Sequence, residues 1–119
     1  MTIERLDNMV GGWFVGDFSP VVHHTKAAEV ACKHYKAGAA EKAHVHKIAT
    51  ELTLLVSGKV RMNGVDILPG QIVMLQPGEP ADFQAIEDSV TVVVKTPSVI
   101  GDKYPVASPA AHALEGATR

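Results

Sequence analysis

Three side chains in this 119-residue sequence have the types and spacing of a metal site: His44, His46 and Glu51. His44 and His46 stand two apart in a β-type run, and side chains on a strand alternate between faces, so both imidazoles leave the same one. Lys47 to Thr50 can make the turn into the next run, so the carboxylate of Glu51 returns beside the two rings. Two imidazoles and one carboxylate suit a single divalent transition metal, Fe, Mn, Ni, Cu or Zn, and leave coordination positions for water, substrate or dioxygen. A His-x-His pair alone also occurs as ordinary surface or core histidines, so the residues around it decide its meaning.

The elements that must position these donors are short. From Glu29 to about Lys95 the chain consists of β-type runs broken by Gly, Pro or Asn-Gly, with no helical period. The runs predict strands over 29–36, 43–46, 51–57, 59–63, 65–68, 72–75, 82–86 and 89–95. Asn63-Gly64 supplies the two positive φ angles of a tight hairpin turn. Ser57-Gly58, Pro69-Gly70 and the proline-rich 76–80 segment read as further turns, together suggesting an antiparallel meander. Three parts follow: a lead-in (1–28) packing on the barrel or on a partner subunit, a β-barrel (29–104), and a loose tail (105–119).

Gly38 precedes His44 by six residues, Glu51 follows His46 by five and Gly58 follows Glu51 by seven, a pattern that resembles the first signature motif of the cupin superfamily. The resemblance continues into the second motif, with Gly70 opening a strand and Gly78 closing the turn after it, although Gln76 stands where the family places a proline. It implies an all-β fold, a small cupin-type barrel (jelly roll or double-stranded β-helix), a homodimer, and a metal held by His44, His46 and Glu51. It also implies a fourth ligand, a histidine, at a position that here is Ala81, and an asparagine where Ala85 stands. Asp82 and Gln84 are nearby oxygen donors, but alternation turns them away from the cavity unless a bulge intervenes. Water or a substrate atom is therefore expected in the fourth position, with weakened metal affinity.

Candidate substrate-binding residues are His34, Phe83 and Lys95. His34 alternates with Val30, Cys32 and Lys36, and lines the cavity if that face is inward; otherwise it is a hydrogen-bonded core or surface histidine. Lys95 ends an apolar run and is expected at the barrel mouth, where it either binds a carboxylate or phosphate or only blunts the strand. Of the adjacent His23 and His24 at most one can be a ligand, and His112 is expected in solvent. Cys32 reads as a small buried hydrophobe, and Leu55, Met62, Met74 and Phe83 as wall or core.

A net charge of −2 and only six aromatic residues exclude the basic field and stacking platform of a nucleic-acid binder. No apolar run is long enough for a membrane helix, and the N-terminus lacks a secretory signal, so a cytoplasmic protein with a small-molecule partner is expected. The leading expectation is a metal-dependent small-molecule enzyme, an oxygenase, isomerase or lyase. The alternatives are a non-catalytic module binding a sugar or organic acid, and a metal-free isomerase with His34 as base.

Overall fold

The structure is a computed structural model that describes residues 1–107; His112 and most of the expected tail lie outside the described residues. Eleven strands follow two short 3₁₀ turns: β1 (Trp13–Gly16), β2 (His23–His24), β3 (Glu29–Tyr35), β4 (Ala40–Val45), β5 (Thr50–Ser57), β6 (Val60–Met62), β7 (Val65–Ile67), β8 (Ile72–Leu75), β9 (Ala81–Ala85), β10 (Ser89–Thr96) and β11 (Tyr104–Pro105). They form a six-stranded sheet in the order β2-β1-β3-β10-β5-β8 and a five-stranded sheet in the order β11-β4-β9-β6-β7.

The strands expected from the sequence form at nearly their expected places, but the meander does not. The pairing is nested: β6 with β7, β5 with β8, β4 with β9 and β3 with β10, all antiparallel. Only the innermost pair is a local hairpin, closed by Asn63 and Gly64 at φ 52° and 77°. From β3 to β10, every other connection carries the chain from one sheet to the other. Turn residues mark where the chain bends and not which strand it then joins, so Ser57-Gly58 and Pro69-Gly70 turn out to be crossings between sheets.

Gly58 shows why one crossing needs glycine. Its φ is +90°, and a Cβ there would lie 2.3 Å from both the Asp88 carbonyl oxygen and Ser89 Oγ. Gly38 has the same φ of +90° but open space around it. The crossing from β4 to β5 has no glycine and is held instead by Asp102. Its carboxylate accepts from the backbone N–H of Lys47 (2.8 Å), Ile48 (3.1 Å) and Ala49 (2.9 Å). Burial pushes the Asp102 pKa up, but the N–H groups of Ala49, Lys47 and Ile48, with the His46 charge, outweigh it and hold the carboxyl below the usual range.

The lead-in does more than pack on the barrel. β1 joins the six-stranded sheet beside β3, with Trp13 opposite Ala31, and β2 pairs parallel to β1. At the other end β11 pairs with β4 and the Val106 N–H donates to the Ala43 carbonyl, so the start of the expected loose tail is tied to the sheet. The core lies between the sheets around Leu55, Val60, Met62, Ala81, Phe83 and Ala85. Met74, expected in the wall or core, is instead 54% exposed on the outer face of the larger sheet, and Cys32 is only half-buried there. No helix among the described residues is long and apolar enough to cross a membrane.

Gly58→Ala is expected to destabilise more than Gly38→Ala, since both carry the ~1–2 kcal/mol left-handed cost but only Gly58 adds an overlap. Equal losses in urea unfolding would contradict this packing. Asp102→Ala should cost roughly 3 kcal/mol, the upper figure for one charge-assisted hydrogen bond. Because Asp102 titrates lower folded than unfolded, its contribution is present above the unfolded value of about 3.9 and is lost as pH falls through the folded pKa. Unfolding measured across that window should be flatter in Asp102→Ala than in wild type.

Candidate metal centre

The donor atoms of His44, His46 and Glu51 lie within 4.8 Å of one another, the group among the described residues with this composition. His44 sits near the end of β4, His46 just beyond it and Glu51 near the start of β5, so the turn clamped by Asp102 sets their separation. His46 is 4% exposed, and its Nδ1 is hydrogen-bonded to the backbone carbonyl of Asp102. His44 Nδ1 is 3.2 Å from the Lys42 carbonyl. A carbonyl can only accept, so both Nδ1 atoms carry hydrogen and both Nε2 atoms are left for the cluster.

His46 Nε2 is 2.9 Å from Glu51 Oε2. A ring that already donates from Nδ1 bonds an ionised carboxylate only when Nε2 is protonated too, so the metal-free pair favours the imidazolium form of His46. Its pKa is raised, chiefly by the bond to Glu51, against the opposing effect of burial. Burial would raise Glu51, but the His46 bond and charge and the Lys95 ammonium outweigh it and hold Glu51 ionised. Burial lowers His44, outweighing the Lys42 carbonyl, and the Lys103 charge adds to this. The three residues fit a divalent metal: two ring nitrogens held at their far side by carbonyls, an ionised carboxylate, and a proton where a cation can sit.

The cluster opens on a cavity of about 490 Å³ between the sheets. Ala81 is the cross-strand partner of His44, so the position lacking a fourth ligand carries a methyl group at the site itself. Asp82 is not part of the cluster; it accepts from the Asn63 N–H at 2.7 Å, while its own N–H donates to Asn63 Oδ1. Phe83 and Lys95 line the cavity, and Lys95 Nζ lies 3.8 Å from Glu29 Oε2 and 4.9 Å from the centre of the Trp13 ring. His34 does not line it. The residues of β3 that line the cavity are Glu29, Lys33 and Tyr35, and His34 is exposed on the opposite face, beside a smaller cavity of about 280 Å³. That placement takes His34 out of the main cavity, where a metal-free base would have to act. His23 and His24 are exposed at the sheet edge, away from the cluster.

Several lining residues were not singled out from the sequence: Trp13, Lys33, Tyr35, Glu41 and Thr91. Tyr35 donates to Glu41 Oε1 at 3.1 Å and packs its ring against Phe83 with centroids 4.6 Å apart. Burial first, and then the Glu41 charge, push the Tyr35 hydroxyl up, so it remains a proton donor. The signal for Lys33 and Tyr35 was present in their alternation with Ala31. It was masked because Val30 and Cys32 make the other face of β3 look like the core.

No protein-family model matches the sequence, and no curated protein matches it. Solved structures do. A double-stranded β-helix protein of Klebsiella pneumoniae, itself uncharacterized, superimposes with a TM-score of 0.65 at 22% identity, over 89% of this chain and 91% of that one. KdgF from Halomonas sp. gives a TM-score of 0.59 at 22% identity, over 65% of this chain and 74% of that one. Oxalate decarboxylase from Bacillus subtilis gives 0.60 at 19% identity over 68% of this chain, which spans about a quarter (24%) of that longer enzyme. With its two sheets, nested strand pairs and these likenesses, the chain has the cupin fold, the double-stranded β-helix.

Proposed function

We propose that the chain is a metal-dependent enzyme acting on a small molecule, with one divalent transition metal held by His44, His46 and Glu51. The observation that carries this reading is the convergence of the three donors on one wall of a cavity of ligand size. When bound, the metal would act as a Lewis acid on a substrate oxygen or on water. Oxalate decarboxylase, which shares the fold, has Mn(II) centres. The metal here could equally be Fe, Ni, Cu or Zn, and the reaction an oxygenation, an isomerisation or a lyase step.

The chain's own residues supply the rest. Ala81 leaves the side of the cluster nearest β9 free of a protein donor, so a substrate atom has access there. Tyr35 holds a proton at its hydroxyl, directed to Glu41, at the cavity wall. A second reading, a non-catalytic cupin that captures a sugar or organic acid, is favoured by that same missing ligand.

Protein purified without chelator is expected to carry about one metal per chain, from the donor count, and His44→Ala and Glu51→Ala to lose at least tenfold of it. Equal, negligible metal in all three would end this reading. Metal must displace the Nε2 proton of His46, so binding should release a proton and weaken as pH falls through the raised His46 pKa. Calorimetry in buffers of different ionisation enthalpy measures that release. A co-purified small molecule that is turned over, with turnover lost in His46→Ala, supports the enzyme; one retained unchanged supports the binder.

A homodimer belongs to the same reading. Leu52, Leu54 and Val56 of β5 and Ile72 and Met74 of β8 form an uncharged outer face, with Ile72 64% exposed. An apolar, chargeless patch suits its own copy across a two-fold axis. Sedimentation should give a dimer that Ile72→Asp converts to monomer; a wild-type monomer would exclude it.

A further inference from the structure

Two lysine–glutamate pairs stand on the wall of the main cavity. Glu29 and Lys33 belong to β3, and Lys95 of β10 is the cross-strand partner of Glu29. Glu41 comes from β4 in the other sheet, so the Lys33–Glu41 pair reaches across the space between the sheets, while the Lys95–Glu29 pair lies within one of them. Lys33 Nζ is 5.3 Å and Lys95 Nζ 4.9 Å from the centre of the Trp13 ring, so one small molecule in this part of the cavity can touch both pairs.

Both pairs stand apart. Their nitrogen–oxygen distances are 3.7 Å for Lys33–Glu41 and 3.8 Å for Lys95–Glu29, beyond hydrogen-bond range. An ammonium carries three donors, and neither lysine spends one in a hydrogen bond to another described residue. Glu41 accepts from the Tyr35 hydroxyl and Glu29 from the Ser98 hydroxyl, each on Oε1, so each keeps Oε2 for a further donor. A ligand can reach all four side chains, since 23% of Lys33, 32% of Glu41, 18% of Lys95 and 12% of Glu29 is exposed.

A hydroxyl group matches this arrangement. The same oxygen accepts from an ammonium and donates to a carboxylate, and one placed about 2.8 Å from both members of a pair closes both bonds. Charge disfavours the other ligand classes. Each lysine already has its counter-carboxylate, so an anion meets the repulsion of the glutamates and a cation that of the lysines. An apolar group would strip four charged side chains of water and give no hydrogen bond in return. We propose that the cavity takes a neutral polyhydroxy compound, a sugar or polyol, whose hydroxyls bridge the Lys33–Glu41 and Lys95–Glu29 pairs. This rests on the reading of the cavity as a small-molecule site and names the class of its ligand.

Glucose, xylose and myo-inositol would be titrated into chelator-treated and Mn²⁺-loaded protein, with succinate as the acid and cyclohexanol as a ring bearing one hydroxyl. Saturation-transfer NMR on the ligand reads the binding. At least one of the three polyols is expected to bind chelator-treated protein tenfold more tightly than succinate or cyclohexanol. The double variant Lys33→Met with Glu41→Leu removes one pair without leaving a lone charge, and should weaken that binding tenfold or more in both forms. Glu41→Gln keeps an acceptor for Tyr35 but leaves Lys33 unpaired, so the preference should move toward succinate by tenfold or more, a change that a damaged cavity would not give. The proposal is overturned if no polyol binds, if succinate or cyclohexanol binds as tightly, or if the double variant and Glu41→Gln both behave as wild type. Absent metal with polyol binding and its dependence on the pair intact would sink the metal reading alone. A full metal complement with no polyol bound would sink this one alone.

Discussion

The arrangement of the candidate metal site depends on one carboxylate. Asp102 gathers three successive backbone N–H groups at the only crossing between β3 and β9 that lacks a glycine, and its carbonyl orients the His46 ring. The first interaction sets how far β4 and β5 stand apart where they carry their ligands. The second sets which nitrogen of His46 faces them. A carboxylate so surrounded by donors is stabilised as an anion, and the ring it positions is paired with a second carboxylate, Glu51, which raises the His46 pKa. Around the cluster, charge alternates from Asp102 to His46 to Glu51 to Lys95, which keeps buried ionised groups within reach of compensation.

The two faces of the larger sheet reverse the usual assignment. Its inner face carries Glu29, Lys33, Tyr35, Thr91 and Lys95, while the outer face of β5 and β8 is apolar. The hydrophobic contacts that hold the sheets together are concentrated around Leu55, Val60 and Phe83, leaving the other end as a polar chamber. Small residues at Ala31 and Ala81 provide its room.

The strand positions, the Asn63-Gly64 hairpin and the three donors were legible because each is local: turn chemistry, alternation and spacing act over a few residues. Parity was not. Hydrophobicity along β3 favours Val30 and Cys32 as the inward set, and only the tertiary pairing with β10 shows that Ala31 and Lys33 face in. In β4 the register shifts between Glu41 and His44, where Lys42 and Ala43 face the single residue Asp82 on β9, so Glu41 reaches the cavity although simple alternation from His44 sends it outward. Asp102 was hidden for a different reason. Its role depends on a backbone turn 53 to 55 residues earlier in the chain, and no periodicity connects the two.

That separation has a consequence for how the protein matures. β3 can pair with β10 only after all the intervening strands have been synthesised, a topology of high contact order and slow folding. His44, His46 and Glu51 leave the ribosome early, but the residue that orients His46 arrives 56 positions later. Until Asp102 is in place His46 lacks the carbonyl that orients its ring, so the three donors gain their mutual geometry with the fold. The order of synthesis thus separates the closing of the inner strands from the completion of the candidate metal site.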